Sequence, residues 1–347
     1  LTADTSYTWS VRWWDSAGAE SPEGVSTFST GLFREADWKG AGWIGGEIGQ
    51  YRKAFAVKGP VLRATAYIVG LGYYQMFMNG NKLSSHELGA FTTFEERVLY
   101  DTVDVTAAIN AGLSQPAQVL GVVLGNGWYS LGSTDPFDGA HPIDVGPPTL
   151  RLRLSIQYAA AATAGAAAAP TDIISDTSWT HTMGPVSSSH IYMGTIYNAT
   201  QETPGWTTAS FEETSVWSKS KIVAPPSDHV KLTSHAVMPQ IRTTQSFTPC
   251  NLWQSAVGVF VFDFCQNLAG VATLRVPEGV ATEANVLIEM IHAEAIHGPP
   301  ENHSAIFNHY KPSSSDAPGK SFEMNTYVTS GDGAAVEWTP SFTYSGF

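Results

Sequence analysis

The sequence predicts an all-β protein built from tandem β-sandwich or jelly-roll domains. Four observations carry that class. Apolar and polar residues alternate at period two through much of the chain, and an Asn79-Gly80 pair closes one alternating run. Gly (32) and Pro (20) punctuate the 347 residues, and no long stretch sustains helical periodicity.

The clearest strand is Leu150–Tyr158. Leu150, Leu152, Leu154, Ile156 and Tyr158 fall on one face, and Arg151, Arg153, Ser155 and Gln157 on the other, which predicts a half-buried strand with a solvated polar face. Tyr73–Met78 runs into Asn79-Gly80, where both turn positions tolerate positive φ, so a hairpin is expected. Further strands are predicted at Tyr7–Trp14, Leu62–Val69, Gln118–Leu124, Val259–Phe264, Val271–Val276 and Asn285–Glu294. Short helical turns are expected at Val105–Asn110 and around Phe211–Ser218, where Asp and Ser/Thr can cap. Ala159–Pro170 is nearly all Ala with Gly and Thr, and reads as a surface loop or short frayed helix.

Three units follow from this pattern. Residues 1–30 look like the last strands of a small sandwich, a second unit spans 31–219, and Pro225-Pro226 introduces a third, 220–347, truncated at its end. The chain begins at Leu1 in strand-like sequence without an initiator Met, so it reads as a fragment.

Charge excludes some partners. A net charge of −13 with no Lys/Arg cluster would repel a phosphate backbone or an anionic bilayer, so neither nucleic acid nor membrane is an expected partner. No apolar run approaches the roughly 20 residues that span a bilayer. Charged residues make up 14%, below the roughly 25% usual for soluble domains. Uncharged polar and aromatic side chains must then form more of the surface, as in extracellular carbohydrate binders. The sequons Asn198-Ala-Thr200 and Asn302-His-Ser304 are glycosylation candidates for a secreted chain. Cys250 and Cys265 leave a disulfide and two free thiols as equal alternatives.

A search for chemistry assigns no catalytic residue. A sugar hydrolase needs two carboxylates placed about the scissile bond. Glu95-Glu96 and Glu212-Glu213 are adjacent and diverge on a strand, so they read as solvated. Asp101 and Asp104 flank an expected turn, where carboxylates cap backbone amides. Asp263, between Phe262 and Phe264, is read as making a structural hydrogen bond. His292 and Glu294 share a strand face with His297 and His303 beyond, but loop histidines are usually solvated and no metal ligands are assigned. HExxH, GxSxG and P-loop motifs are absent, and Gly70-Leu-Gly72 lacks a third glycine.

Carbohydrate binding is the better signal. Leu124-Gly-Asn-Gly-Trp-Tyr129 ends a strand in a glycine-rich turn that sets an amide beside an indole. A sugar stacks its C–H face on such a ring while the amide holds its hydroxyls. Asn126, Trp128 and Tyr129 are therefore candidates, with Gln75 and Asn79 weaker ones. The competing reading packs Trp128 into the sandwich core and leaves the glycines to shape the bend.

In combination, ordered segments resemble the α-L-rhamnosidase family of bacteria and fungi. Tyr7-Thr-Trp-Ser-Val11, Trp14-Asp-Ser-Ala-Gly18 and Phe28-Ser-Thr-Gly31 resemble the end of its fibronectin-III-like module. Trp38, Trp43-Ile44 and Tyr51-Arg-Lys-Ala-Phe55 resemble the entry to its N-terminal β-sandwich. Gly70–Gly80, Tyr100–Thr106, Gly125–Tyr129, Ser175–Trp179 and Gly205-Trp206 follow that sandwich's pattern. Phe262–Gly270, His292-Ala-Glu294 and Trp338–Phe347 resemble the concanavalin-like sandwich that comes next.

The resemblance implies that a catalytic (α/α)₆ barrel, with an acid and a base Glu for inverting hydrolysis, belongs downstream of Phe347. It implies a rhamnose-containing glycan as partner and a supporting role for this region. A stand-alone lectin or extracellular structural module is the alternative. In some relatives the N-terminal sandwich binds rhamnose through Ca²⁺, which makes Ca²⁺ the one cofactor candidate. The family often has Glu at the place of Gln75, Gly-Asp at Ser84-Ser85, and Gly-Glu-x-Tyr-Asp-Ala-Arg at Gly194–Thr200. Several acids are thus replaced by neutral groups, and a hard cation such as calcium wants clustered carboxylate and carbonyl oxygens.

Overall fold

The computed structural model describes residues 1–84, 86–131, 145–160, 169–293, 295–297, 304–306 and 323–347. The expected surface segment at 161–168 lies outside them, as do Ser85, Glu294, Asn302 and His303.

An antiparallel hairpin comes first, β1 (Ser6–Val11) against β2 (Gly24–Ser29), with Tyr7 stacked on Phe28 at 5.4 Å. A 3-10 turn at Glu35–Trp38 follows. Next come β3 (Ile44–Gly45), β4 (Gly49–Phe55), β5 (Val61–Leu71), β6 (Tyr73–Met78), β7 (Asn81–Lys82) and β8 (Arg97–Asp104). After the single helix among the described residues, α1 (Thr106–Ala111), lie β9 (Gln118–Gly125), β10 (Thr149–Tyr158), β11 (Thr171–Ile174) and β12 (Thr180–Thr182). Then come β13 (Val186–His190), β14 (Gly194–Asn198), β15 (Ser218–Lys219) and β16 (Lys231–Ser234).

Two six-stranded sheets build the central sandwich. One runs β11-β10-β5-β8-β16, with β3 also on β10; the other runs β15-β12-β4-β9-β6-β7. The core lies between them. Ile68, Met76, Leu120, Val122, Leu150, Leu152, Leu154 and Ile156 are all fully buried there. The face read from the alternation in β10 is thus the core face.

The polar face of β10 is not solvated. Arg151, Arg153 and Ser155 are 3%, 5% and 6% exposed. A second apolar cluster, which includes Trp38, Trp43, Tyr67 and Tyr100, covers that side. Arg151 lies 4.7 Å from the Trp38 ring and donates to Glu35 Oε2 at 2.8 Å. Arg153 donates to Asp172 at 2.7 Å and Asp4 at 3.1 Å. Guanidinium groups can be buried because each finds a carboxylate and an aromatic face.

The remaining strands are β17 (Asn251–Ala256), β18 (Val259–Asp263), β19 (Ala269–Gly270), β20 (Leu274–Val276) and β21 (Leu287–Ile291). They continue with β22 (Ala295–His297), β23 (Ser304–Ile306), β24 (Met324–Val328), β25 (Val336–Trp338) and β26 (Ser345–Gly346). The sheet β13-β14-β24-β21 joins distant parts of the chain, β14 pairing in parallel with β24. β16 likewise pairs in parallel with β8, so the first central sheet takes in residues beyond Lys219.

Helix α1 forms where a short turn was expected, and Asp104 Oδ1 accepts from Thr106 N at its start. No helix forms at 211–218; Phe211 and Trp217 instead pack on the Arg52 guanidinium at 5.2 and 6.0 Å. Asp101 is not a turn cap. It sits within β8, 9% exposed, where Tyr74 of the facing sheet's β6 and the segment after β16 enclose it. No helix among the described residues is long and apolar enough to cross a membrane.

Candidate carbohydrate site

Strand β9 ends at Gly125, and the chain turns through Asn126, Gly127 and Trp128. Gly127 has φ +55°, a left-handed conformation, and a Cβ there would crowd the Gly72 backbone and the Tyr73 ring. Asn126 is tethered to β13. Its backbone N–H donates to Ser189 Oγ at 3.0 Å, and its Nδ2 donates to Ser189 O at 2.8 Å.

Beside this turn lies a cleft of about 530 Å³, whose lining includes Glu47, Asn126, Ser130, Pro147, Ser187 and Ser188. Glu47 Oε1 is 2.8 Å from His181 Nε2, and the His181 ring stacks on Tyr51 at 5.4 Å. Asn126, Glu47, Ser130, Ser187 and Ser188 thus line a space large enough for a sugar ring, although the Asn126 amide is tethered to Ser189 and Ser187 Oγ donates to Ile196 O at 3.3 Å. Sugar hydroxyls are held by such groups.

The other sequence candidates have separate placements. Trp128 is half-buried and meets Phe91 and Tyr192 edge-on at 5.3 and 5.2 Å. Tyr129 is 9% exposed and meets Phe94 edge-on at 5.4 Å. Gln75 Nε2 donates to Ser341 Oγ at 3.0 Å, linking β6 to the C-terminal region. Asn79 adopts φ +50° in the hairpin turn. It donates to Gln118 Oε1 at 2.7 Å and accepts from Val119 N at 2.9 Å. Of the sequence candidates, Asn126 lines the cleft while its amide is tethered to Ser189; Trp128 and Tyr129 pack in aromatic contacts outside the cleft lining, and Asn79 and Gln75 make fold contacts.

Asn198 Oδ1 accepts from Thr200 N at 3.0 Å and from Thr200 Oγ1 at 2.7 Å. Asn302 lies outside the described residues. Cys250 and Cys265 are joined by a disulfide, with a Cα–Cα distance of 6.2 Å. Asp263 lies beside it and accepts from Cys265 N at 2.7 Å, a structural hydrogen bond.

The cleft does not suit calcium. Ca²⁺ takes 6–8 oxygen ligands rich in carboxylate. Glu47 is the one carboxylate lining the cleft among the described residues, and His181 already engages it. Glu47, Ser130, Ser187 and Ser188 escaped the sequence reading because none belongs to a motif; strand β13 and segments remote from it in the chain bring them together.

The fold is that of an all-β protein of tandem β domains, with a polar cleft on the central sandwich. The chain matches the alpha-L-rhamnosidase N-terminal domain over residues 59–245 and the bacterial alpha-L-rhamnosidase concanavalin-like domain over residues 254–347. It belongs to the α-L-rhamnosidase family.

Among relatives, an α-L-rhamnosidase of Formosa agariphila is 30% identical over 381 residues, which span 100% of this chain and 37% of the relative. The α-L-rhamnosidase structure from Dictyoglumus thermophilum aligns with a TM-score of 0.80 at 29% identity, covering 100% of this chain and 37% of that one. The Aspergillus terreus enzyme aligns with a TM-score of 0.77 at 27% identity, covering 100% and 38%. The chain thus spans little more than a third of each relative's length.

Proposed function

We propose that this chain is the non-catalytic β region of a secreted α-L-rhamnosidase. In this reading it supports a catalytic barrel carried elsewhere in the protein and holds terminal rhamnose in the cleft beside Asn126. The observation that carries the proposal is the unbroken order of the two family regions, 59–245 and 254–347, in a chain that spans 37% of its relatives. The polar cleft supports the binding half, and the disulfide supports an oxidising compartment. Residues 1–30 are read as the end of a fibronectin-III-like module, with the division into units near Lys219 kept as part of this proposal.

The test is calorimetric titration of L-rhamnose into the chain and into Asn126→Ala, with and without Ca²⁺, alongside an aryl α-L-rhamnoside hydrolysis assay. The expected results are rhamnose binding weakened at least about tenfold by the substitution, no dependence on Ca²⁺, and no hydrolysis. Hydrolysis by these residues alone would overturn the non-catalytic reading. Unchanged affinity in Asn126→Ala would remove the cleft as the binding site.

A further inference from the structure

The segment from Lys231 to Arg242 lies across the edge of the first central sheet. β16 pairs in parallel with β8 from Lys231↔Arg97 to Ser234↔Tyr100. A 3-10 turn covers His235–Val237, and Ile241 then bridges to Leu88 while Glu87 N donates to Ile241 O at 2.9 Å. Half-buried Leu232 packs against the second apolar cluster, and the rest of the segment adds little apolar burial. His235 is its one buried side chain among the described residues, and Ile241 is 50% exposed. Residues 242–250 beyond it are exposed throughout and lead into β17. The segment is therefore a strap whose fastening is polar.

That fastening is Asp101. Its Oδ1 accepts from His235 Nδ1 at 2.8 Å and from Gln240 Nε2 at 3.2 Å, and its Oδ2 accepts from Tyr74 Oη at 2.6 Å. His86, 3% exposed, lies edge-on to Tyr74 at 4.9 Å. Neither His86 Nε2 nor His235 Nε2 has a hydrogen-bond partner among the described residues. A pocket of about 440 Å³ opens at the strap, lined in part by Asp101, His235, Gln240 and Arg242. The other charged groups nearby are Lys82, paired with Glu87 at 3.7 Å, and Arg242, which donates to Gln240 at 2.9 Å.

We propose that residues Lys231–Arg242 form a pH-operated strap, fastened to the sandwich by the Asp101–His235 pair and unfastened when that pair or the adjacent His86 changes protonation. Three groups set the two limbs. The hydrogen bond to Asp101 raises the His235 imidazole against the opposing effect of burial. Its contribution is complete below the ordinary imidazole value, roughly 6.5, and is lost as pH rises through the raised value. Burial lowers His86, so acid below roughly 6.5 protonates the opened state first and favours release. Burial raises the Asp101 carboxyl, but hydrogen bonds from His235 and Tyr74 outweigh it and leave the group below its ordinary value. Its contribution is present above that ordinary value and disappears as pH falls through the lowered one. Tyr74, raised well above its ordinary value by burial, stays a neutral donor throughout. The strap is tightest near the ordinary imidazole value and loosens on both sides.

Hydrogen–deuterium exchange read by mass spectrometry tests this, with intrinsic rates corrected at each pH. Peptides covering 231–242 should lose protection at least about threefold at pH near 4.5 and near 8.5 relative to 6.5, while Gln118–Gly125 keeps its own. His235→Gln should abolish the alkaline limb, and His86→Phe, which keeps an aromatic edge on Tyr74, should weaken the acid limb. Strap protection that tracks β9 at every pH in the unmodified chain would overturn the proposal. So would two limbs that survive both substitutions.

Discussion

The ring of Phe342 lies against the backbone of Gly125, so closely that a Cβ at position 125 would overlap the ring. Phe342 is 1% exposed and shares a buried cluster with Tyr73, Leu88, Leu131 and Ile191. The C-terminal region therefore presses directly on the residue that precedes Asn126. Thr343 Oγ1 donating to Ile191 O at 3.0 Å and Gln75 donating to Ser341 fix the same contact from both sides.

Phe342→Ala should destabilise the chain by about 3–5 kcal/mol, because it empties a fully packed site. Gly125→Ala should also destabilise it, through overlap rather than a cavity. Urea denaturation measures both. Each variant should also bind L-rhamnose more weakly at temperatures where it remains folded, since the Asn126 turn loses its backing.

Asn79 offers a contrast. Its side chain ties the β6–β7 turn to Gln118 and Val119, so Asn79→Ala should cost roughly 1–3 kcal/mol, the scale of leaving buried partners unpaired. Rhamnose affinity, measured on the folded fraction, should not change. A selective loss of affinity without loss of stability would assign Asn79 to the sugar instead.

Asp4 joins the N-terminal segment to the sandwich by accepting from Tyr67 Oη at 2.8 Å and Arg153 Nη2 at 3.1 Å. Asp4→Ala leaves Arg153, 5% exposed, with Asp172 as its remaining carboxylate. A stability loss of roughly 1–3 kcal/mol is expected. Asp4→Asn should lose less, because an amide oxygen can still accept. Thermal melts at low and high salt check this; the loss should persist at high salt because the pair is buried.

Tyr74→Phe removes one donor that holds the Asp101 carboxyl below its ordinary value. That group's contribution is present above the ordinary carboxylate value and is lost as pH falls through the lowered one, so weakening the depression moves the loss to higher pH. The acid unfolding midpoint should rise in Tyr74→Phe and stay put in Tyr158→Phe, whose phenol donates to Thr171 at 3.2 Å. Circular dichroism against pH reads both.

Reduction of Cys250–Cys265 releases a cross-link spanning 15 residues around the β17–β18 hairpin. A loop of that length corresponds to about 3 kcal/mol of chain entropy. A lone two-stranded hairpin is marginal by itself. Reductant should therefore speed hydrogen exchange in 251–263 and leave β5, β9 and β10 unaffected.

Sequence pattern revealed what depends on local periodicity. The alternation in β10 identified Leu150 to Tyr158 as the core face, and Asn79-Gly80 located its turn. It missed the burial of Arg151 and Arg153, because Glu35 and Asp4 come from 116 and 149 residues away and Asp172 from the adjoining strand β11. Gly125–Tyr129 marked the glycine-rich turn that ends β9, yet the setting of Trp128 depends on Phe91 and Tyr192. Asp101 looked like a turn cap for the same reason: its imidazole partner lies 134 residues downstream. Parallel pairings such as β16 with β8 leave no local trace, since each strand is short and its partner remote.

The parallel seam between β14 and β24 has a consequence for how such proteins can be recombined. The two matched regions meet between residues 245 and 254, which looks like a natural place to cut and exchange modules among relatives. A cut there would separate β13–β14 from β24 and expose the edge of β14 as a template for unwanted pairing. The two regions are therefore coupled through one shared sheet, and chimaeras joined at that gap should aggregate.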